Sequence, residues 1–597
     1  MFVFIDKIPP NAIILPTMFV YKVKATGEKK SRLVVLGNHQ KEASIVGPRI
    51  DPVKRGNMEN QENIIPTNSK SGETLLSKET LKEVYKTMAK NKAGETFIND
   101  SDTDFTSQSK HVSEFEEFNI AAPTPRMTTI KFILIYGLQM DYMCRHFDVC
   151  SAFSCAPLDS KVPILVRMPP LGTQYSNRLA QLLMAAYGLR SSPRDWSQLF
   201  RNWLIAHGWK RSAFDPCLYS RKFGNHLAFL AFWVDDCIVC CTEEICNLVI
   251  KEVDASKGGD FDITDLGEVT RFMGITIERT ATEMLLGQED LIRSLAEKIG
   301  IKQATGLKLP MGSRRPSCAD CAYIFDSEGK KVHDPAMKAY PYRMVIGCLL
   351  WLNHTRFDIK FCTKELSRYN SNYGVKHWEA AKRAVDYLSR TRSHRLKFTK
   401  TGDFTLRAYC DADYNGSADE RLSTTAYILF LGACPLDASS RCQKFSARSV
   451  GEAEFSSLSS CVAEILYHRQ LLNAKNLTQQ AIQILGPKDA EDVLRNAKEG
   501  DKSVESVVYS DSTTAIANGN SPVGWLSDKL KHCQNHLFFV KQYISMGWVR
   551  LQHVPSALNP ADALSKGFDD PERWSAFVKV LLGHVPPFGV TSTAKAT

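Results

Sequence analysis

Two adjacent carboxylates, Asp235 and Asp236, interrupt a long apolar run between His226 and Thr242. The residues on both sides include Val, Ile, Phe and Trp, which favour β-strands, and the run is long enough for two strands. We therefore predict a hairpin with the acidic pair at its tip. Ionised carboxylates are rarely surrounded by apolar residues unless they are paired or bind a cation. Since Asp is also a common turn residue, this stretch alone fits a polar turn as well as a metal site.

The composition is typical of a large globular chain. With 597 residues the chain exceeds a single hydrophobic core, and roughly 150 residues per domain predicts about three to five domains. The formal charge of +10 is compatible with a polyanionic partner. Many of the 17 Cys lie in apolar runs, which indicates reduced intracellular thiols rather than a disulfide framework. No run of 18 apolar residues occurs, so we expect no membrane span and no membrane partner.

The first hundred residues divide into two segments of different character. Residues 13–38 alternate on either side of a turn, which predicts a hairpin with the cations Lys29, Lys30 and Arg32 beside its turn. These cations fit either a solvated hairpin end or a phosphate clamp. Polar residues dominate 41–117 and aromatic residues are sparse there, which predicts a largely disordered insertion.

A lone carboxylate, Asp148, ends a short predicted strand further along the chain. Apolar spacing predicts helices on either side of it, at Thr128–Tyr142 and Leu179–Tyr187. Mg²⁺ takes oxygen ligands, and two such ions can stabilise the attacking and leaving oxygens of a phosphoryl transfer. Asp148 and the acidic hairpin could therefore converge on a pair of divalent cations.

The second half contains four further acids at a strand start, in a helix, at a strand end and near the C-terminus: Asp411, Glu454, Asp511 and Asp562. Strands followed by helices, with acids at strand ends, are typical of an α/β layered domain. Without further context, solvated surface charges explain these acids better than a metal site does. Two neighbours are rivals for these positions, Asp413 for Asp411 and Glu452 for Glu454, and Asp411 and Glu454 are the preferred assignments.

Five motifs between residues 144 and 359 resemble, in the same order, the reverse transcriptases of Ty1/copia-type retrotransposons. F-W-V-D-D-C-I-V resembles their Y-V-D-D hairpin, and H-F-D-V-C-S-A-F resembles their D-V-x-T-A-F motif. The other three are A-Y-G-L-R-S-S-P-R-D-W, D-L-G-E-V-T-R-F-M-G-I and Y-R-M-V-I-G-C-L-L-W-L-N-H-T-R-F-D-I. Downstream, Y-C-D-A-D-Y, R-L-S-T-T-A-Y, S-V-G-E-A-E-F, V-Y-S-D-S-T-T-A-I and N-P-A-D-A-L-S-K resemble the RNase H domain of the same elements.

The resemblance implies an α+β right-hand polymerase with fingers, palm and thumb, followed by an α/β RNase H-like domain. The implied segments are 1–40 for partial fingers, 41–117 for the insertion, 118–310 for fingers and palm, 311–400 for thumb and connection helices, 401–575 for the RNase H-like domain and 576–597 for a flexible tail.

Site residues follow from the resemblance position by position. Two Mg²⁺ or Mn²⁺ ions are implied in the polymerase half on Asp148, Asp235 and Asp236. Two more are implied in the second half on Asp411, Glu454, Asp511 and Asp562. The residues implied to bind substrate are Lys30 and Arg32 for the incoming triphosphate, Phe153 at the sugar 2′ position, Trp233 in place of the usual Tyr, and Arg190.

The implied function is an RNA-directed DNA polymerase with RNase H activity. Its expected partners are an RNA template, a DNA primer, an RNA–DNA hybrid and deoxynucleoside triphosphates. The expected location is the cytoplasm, in a virus-like particle, or the nucleus. Departures from the family pattern favour an alternative, a truncated and catalytically inactive remnant that at most binds nucleic acid. They include the insertion, a chain that starts within the fingers, and Ser191 in place of a family Gln.

Overall fold

The structure of the chain is a computed structural model that describes residues 2–5, 13–23, 29–35, 74–75, 122–158, 163–168, 177–302, 306–417, 419–476, 506–522 and 533–590. Except for the strand Thr74–Leu75, the expected insertion at 41–117 lies outside the described residues. The predicted N-terminal hairpin is confirmed, since Ile13–Val23 and Lys29–Val35 pair antiparallel. The side chains of Lys30 and Arg32 also lie outside the described part of the chain.

The first half contains three larger sheets, whose strands are named in spatial order. The N-terminal sheet consists of Lys29–Val35, Ile13–Val23, Ile164–Arg167, Leu179–Leu182, Phe2–Phe4 and Thr74–Leu75. The front sheet consists of Ile263–Glu268, Met143–Val149, Asp236–Cys241, His226–Trp233, Leu218–Phe223 and Lys210–Arg211, all antiparallel. A third sheet consists of Arg271–Phe272, Ile275–Arg279, Glu283–Gly287 and Leu396–Thr399.

The predicted helix at Leu179–Tyr187 is wrong, because its first four residues form the strand Leu179–Leu182. This strand pairs with Ile164–Arg167 on one side and with Phe2–Phe4 on the other. Ala180 and Leu182 are buried, whereas Leu179 and Gln181 are half-buried. Such a short apolar run fits a strand or a helix equally well in sequence, and the pairing on both edges decides for the strand.

Both faces of the predicted acidic hairpin are buried, which explains why its strands are apolar throughout. On one face Phe229 packs edge-on against Phe132 and Tyr136 of the helix Met127–Met140. On the other face Phe232 packs against Phe200 of the helix Ser192–Ala206. The helix Met127–Met140 approaches the sheet closely at Gly137, where a Cβ would meet Cys144 Sγ at 2.6 Å.

The helix Glu243–Val253 connects two strands of the front sheet. The described helices of eight residues or more between the front sheet and the second half are Glu289–Lys298, Tyr342–Leu352, Lys360–Ser367 and Val375–Arg390. A small hairpin, Tyr323–Phe325 with Lys331–His333, lies among them.

The second half is built on a mixed sheet of five strands, which we call the rear sheet, in the spatial order Cys434–Cys442, Thr424–Leu431, Leu406–Asp413, Ser506–Ser510 and Val549–His553. The first three strands pair antiparallel, and the last two join in parallel. The α-helices of this half within the described residues are Val450–Asn476, Thr513–Asn520, Gln534–Ser545, Asp562–Ser565 and Pro571–Leu581. This arrangement confirms a layered domain of strands and helices from about residue 406.

The expected flexible tail from residue 576 is wrong for residues 576–590. The helix Pro571–Leu581 extends past residue 576, and its Phe577, Val578 and Leu581 are buried. Its Trp574 indole N–H donates to the Tyr387 hydroxyl at 3.4 Å, and Tyr387 in turn donates to Asp358 at 2.6 Å. The C-terminal helix is therefore packed against the helices that precede the rear sheet.

A buried glutamine joins the two halves. Gln139, at the end of the helix Met127–Met140, donates to the Thr399 carbonyl at 2.9 Å and accepts from the backbone N–H groups of Thr401 and Gly402 at 2.8 Å each. Since buried polar groups need partners, this contact fixes the front helix against the start of the second half. Among the described residues, no helix is both long and apolar enough to cross a membrane.

Candidate metal sites

The strand register of the front sheet places two of the front acids opposite each other. Asp148, on the strand Met143–Val149, pairs with Asp236, the first residue of the second hairpin strand. Val149 donates its backbone N–H to the Asp235 carbonyl at 2.9 Å, so the adjacent Asp148–Asp236 pair is a non-hydrogen-bonded pair. In such pairs the Cα atoms lie about 4.5 Å apart and the side chains share a face.

The third front acid, Asp235, lies in the two-residue turn of the hairpin with Val234. Val234 has a φ of 58°, which is unusual for a β-branched residue and stores strain. The Trp196 indole N–H donates to the Val234 carbonyl at 2.6 Å, and Trp196 itself is fully buried. The strained turn is therefore supported by the helix Ser192–Ala206.

The three front carboxylates surround one buried thiol. Burial raises the pKa of Cys237 well above its usual value, and the negative charges of Asp236, Asp235 and Asp148 raise it further. The Asp236 carboxylate also contacts a neighbour on the facing strand, since His146 Nε2 lies 3.2 Å from Asp236 Oδ1. The tip of the hairpin thus carries a concentration of negative charge.

The front acids are close together without forming a closed ligand set. Within the described part of the chain, the group of His, Cys, Asp or Glu side chains whose ligand atoms all lie within 4.8 Å of one another is Asp411, Glu454 and Asp511. Asp148, Asp235 and Asp236 do not meet that distance. The donor chemistry suits Mg²⁺ or Mn²⁺, and the three front carboxylates stay a predicted cation site.

The residues expected to bind substrate near the front acids lie at three different positions. Phe153 lies in the short helix Ala152–Cys155, directly after the strand that carries Asp148, and its ring is 5.0 Å from that of Tyr187. Trp233 pairs with Asp236 in the hairpin, and its ring packs edge-on against Trp351 at 6.4 Å. Arg190 is half-buried just before the helix Ser192–Ala206.

Three of the four rear acids converge from separate elements of the rear half. Asp411 lies on the strand Leu406–Asp413, Glu454 on the helix Val450–Asn476, and Asp511 directly after the strand Ser506–Ser510. Asp411 Oδ2 and Glu454 Oε2 are buried and have no hydrogen-bond partner among the described residues. Buried acceptors without a partner are costly, and a cation would satisfy them. The three carboxylates therefore fit a Mg²⁺ or Mn²⁺ ion.

The electrostatics of this group favour a cation in the same way. Burial raises the pKa of Glu454 to about 9, and the charges of Asp411 and Asp511 add to the effect. Burial also raises the pKa of Asp411 to about 7, with contributions from Asp562 and Asp511. A divalent cation would remove this repulsion and displace the protons that the acids otherwise retain.

The two alternatives left open by sequence lie outside the group. Glu452 accepts from the Cys533 thiol at 3.2 Å and from the Arg448 backbone N–H at 2.7 Å. The Asp413 carboxylate lies 3.7 Å from the guanidinium of Arg315. The structure thus brings Glu454 and Asp411, rather than these neighbours, beside Asp511.

Asp562, the fourth expected rear ligand, is near the group but is not part of it. One carboxylate oxygen accepts from the Lys566 ammonium at 2.7 Å, and the other accepts from the Arg573 guanidinium at 2.8 Å. Asp562 therefore stays a predicted fourth ligand, and in this structure two cations of the chain bind its oxygens.

Some residues of these sites were not singled out by sequence reasoning. Trp196 belongs to the P-R-D-W part of its motif and Lys566 to N-P-A-D-A-L-S-K, so both carried a signal in the sequence. Asn559 belongs to the second of these motifs as well, and its amide donates to the Asp511 carboxylate at 3.4 Å. Arg573 lies outside all of the motifs, and only the fold brings it to Asp562.

Comparison with known proteins identifies similarities over most of the chain. Residues 106–313 match the family model described as reverse transcriptase (RNA-dependent DNA polymerase). The chain is 28% identical over 468 residues to the retrovirus-related Pol polyprotein from transposon RE1 of Arabidopsis thaliana, which covers 78% of this chain and 29% of that protein. It is 27% identical over 462 residues to the corresponding polyprotein from transposon TNT 1-94 of Nicotiana tabacum, covering 76% and 32%.

These polyproteins are much longer than the present chain, which spans less than a third of either one. A solved structure, the foamy viral protease-reverse transcriptase in complex with double-stranded DNA, is 10% identical. That comparison covers 69% of this chain and 56% of the other, with a TM-score of 0.37.

Proposed function

The chain belongs to the Pol polyproteins of Ty1/copia-type retrotransposons and contains their reverse transcriptase domain, and we propose that it acts as an RNA-directed DNA polymerase with a ribonuclease H in its second half. In this proposal the polymerase is a right hand of fingers, palm and thumb. Its partners are an RNA template, a DNA primer, an RNA–DNA hybrid and deoxynucleoside triphosphates.

The observation that carries the polymerase proposal is the register of the front sheet. It pairs Asp148 with Asp236 and leaves Asp235 in the adjoining turn, so three carboxylates face one small region. Two Mg²⁺ or Mn²⁺ ions held there would stabilise the attacking 3′ hydroxyl and the leaving pyrophosphate oxygens. The chain itself contributes position and charge, as in other phosphoryl transfers.

The proposed roles of Phe153 and Trp233 follow from their places beside these acids, and those of Lys30, Arg32 and Arg190 follow from the resemblance to the family. Phe153 stands directly after the strand of Asp148, where its ring would exclude a sugar 2′ hydroxyl and favour deoxynucleotides. Trp233 lies beside the acidic turn and would contact the primer end. Lys30, Arg32 and Arg190 would bind phosphates of the triphosphate and of the template–primer, for which Arg and Lys are suited.

The ribonuclease H proposal is supported by the rear sheet and its acids. A mixed sheet of five strands, covered by the helix Val450–Asn476, presents Asp411 and Asp511 on adjacent strands, with Glu454 facing them from the helix. These carboxylates would bind divalent cations that activate water at an RNA phosphodiester. Asn559 would orient the Asp511 carboxylate. Asp562 would become the fourth metal ligand when Lys566 and Arg573 release its carboxylate.

The alternative is an inactive remnant that at most binds nucleic acid. The contact of Asp236 with His146 favours this alternative for the polymerase half. Assays of the purified chain on a primed RNA template and on an RNA–DNA hybrid distinguish an active enzyme from an inactive remnant. Primer extension and hybrid cleavage with Mg²⁺, both lost in EDTA, are the expected results. Absence of extension at any Mg²⁺ or Mn²⁺ concentration would establish the remnant.

Trp196→Phe is expected to reduce primer extension about tenfold and to leave hybrid cleavage unchanged. The substitution keeps a buried ring beside Phe200 but removes the donor to Val234, so the strained acidic turn loses its support. An unsatisfied buried carbonyl costs about 1–3 kcal/mol, or roughly 5- to 150-fold, and the part-buried carbonyl of Val234 is expected near the lower end of that range.

Trp203→Phe is the matched control, because Trp203 lies on the same helix and donates to Asp260 rather than to the turn. Extension rates of both variants, with thermal melting to verify the fold, make the comparison. Equal losses in the two variants would show that Trp196 acts only through packing.

A further inference from the structure

Two cations of the chain occupy both oxygens of the fourth rear acid. Lys566 Nζ lies 2.7 Å from Asp562 Oδ1, and Arg573 Nη2 lies 2.8 Å from Asp562 Oδ2. The carboxylate is 2% exposed, whereas each cation side chain is 44% exposed. We call Lys566 and Arg573 the Asp562 clamp.

The clamp is held by the C-terminal elements rather than by the rear sheet. Lys566 follows Asp562 by one helical turn, in the segment that starts with the helix Asp562–Ser565. Arg573, on the helix Pro571–Leu581, lies over the rings of Phe568 and Phe577 at 5.3 and 5.5 Å. Cation–π contacts of this kind fix the direction of a guanidinium group. The Asp562 clamp therefore holds its cations in a defined position, unlike an ion pair between mobile surface side chains.

The remaining three acids offer a complete site for one cation. Asp411, Glu454 and Asp511 have ligand oxygens within 4.8 Å of one another, and Asp411 Oδ2 and Glu454 Oε2 are buried without a hydrogen-bond partner among the described residues. Asp411 is 4% exposed and Glu454 is 8% exposed, so water does not satisfy these atoms easily. A first cation needs nothing from Asp562.

We propose that the Asp562 clamp sets the metal stoichiometry of the rear site: one divalent cation binds to Asp411, Glu454 and Asp511, and a second binds only when Lys566 and Arg573 release Asp562. A carboxylate must be deprotonated to bind a metal ion, and Lys566 and Arg573 place two positive charges against the Asp562 oxygens, where they neutralise the carboxylate and repel a second divalent cation. The chain's own cations thus compete with the second metal ion. This inference rests on the proposed function, in which the rear site uses divalent cations.

The test counts Mn²⁺ ions by calorimetry and by electron paramagnetic resonance on the full chain without nucleic acid. The parent for all measurements carries Asp148→Asn, Asp235→Asn and Asp236→Asn, so that only rear-site ions are counted. We expect one ion at low Mn²⁺ concentration in this parent. In the variant Lys566→Met with Arg573→Met, we expect a second ion to bind at least about tenfold more tightly than in the parent, the factor for one charge-assisted contact.

Three controls separate the clamp from a general change of charge. Lys579→Met, on the same C-terminal helix as Arg573, is expected to leave both affinities unchanged. Asp562→Asn added to the clamp variant is expected to remove the second ion again. If the first and second affinities rise equally when the clamp is removed, a general electrostatic effect is responsible and the proposal is overturned.

The remaining outcomes distinguish a failure of the clamp proposal from a failure of the proposed ribonuclease H function. Two ions bound with similar affinity in the parent, or an unchanged second affinity in the clamp variant, overturn the clamp proposal alone. If Asp511→Asn loses no ion, the rear acids do not bind metal, and then the proposed ribonuclease H function fails. If the double clamp variant does not melt cooperatively, the single variant Lys566→Met is used instead. We expect it to raise the affinity for the second ion by at least about threefold, and an unchanged affinity in this variant rejects the clamp proposal.

Discussion

Replacing both Asp235 and Asp236 with Asn is expected to reduce primer extension at least about a thousandfold and to leave hybrid cleavage within about twofold of the parent chain. Asn has nearly the shape of Asp, so the pairing of the hairpin and the contact of Trp196 with the turn can persist. The change removes two of the three negative charges at the tip. In the proposed polymerase, the metal ions and the triphosphate would then lose their anchor.

The measurement is single-turnover extension of a primed RNA template, run beside cleavage of a labelled RNA–DNA hybrid by the same preparation. Asp290→Asn is the matched control, because this acid is exposed on the helix Glu289–Lys298 and forms ion pairs with the surface arginines Arg271 and Arg293. Extension that survives the double substitution would reject the hairpin as the polymerase site.

The converse variant, Asp511→Asn, is expected to reduce hybrid cleavage at least about a hundredfold with extension unchanged. Asp511 is one of the three carboxylates that fit a cation, and its charge is one cause of the raised pKa of Glu454 and Asp411. Removing it therefore lessens the repulsion in the metal-free chain. We expect the melting temperature without metal to stay the same or rise, and the rise produced by added Mg²⁺ to shrink.

Glu452→Gln is the matched control for this experiment. Glu452 lies on the same helix as Glu454, but its oxygens accept from Cys533 and from the backbone of Arg448. We expect this variant to retain cleavage within about threefold. If Glu452→Gln abolishes cleavage and Asp511→Asn does not, the rear site has been assigned to the wrong acids.

Local sequence pattern predicted the elements around the front acids well. The apolar run from His226 to Thr242 formed two strands with the acidic pair at the turn. The reason is that the pattern of apolar residues determines which residues of a strand can be buried. The same reasoning failed for Leu179–Tyr187, where a short apolar run has no period of its own. It also failed for residues 576–590, whose partners are distant in sequence: the Lys397 backbone N–H donates to the Leu582 carbonyl at 2.8 Å, and the Tyr409 hydroxyl donates to the Phe588 carbonyl.

The acids were identifiable from sequence as residue types, but their partners were not. Spacing alone could not distinguish Glu454 from Glu452, which lie two residues apart on one helix. The resemblance of A-E-F to the A-E-[YL] pattern of the family favoured Glu454, and the structure places Glu454 beside Asp411 and Asp511. The sequence also could not show that Asp562 meets Arg573. That contact requires the C-terminal helix to pack back over the rear half.

The sequence by itself determined which segments form strands and helices around the two sets of acids, and the family to which the chain belongs. Only the tertiary structure decided which carboxylate oxygens lie together and which are already neutralised by Lys566 and Arg573. The physical reason is range: strand and helix patterns depend on neighbours along the chain, whereas the charge at an acid depends on every group within a few ångströms, whatever its place in the sequence.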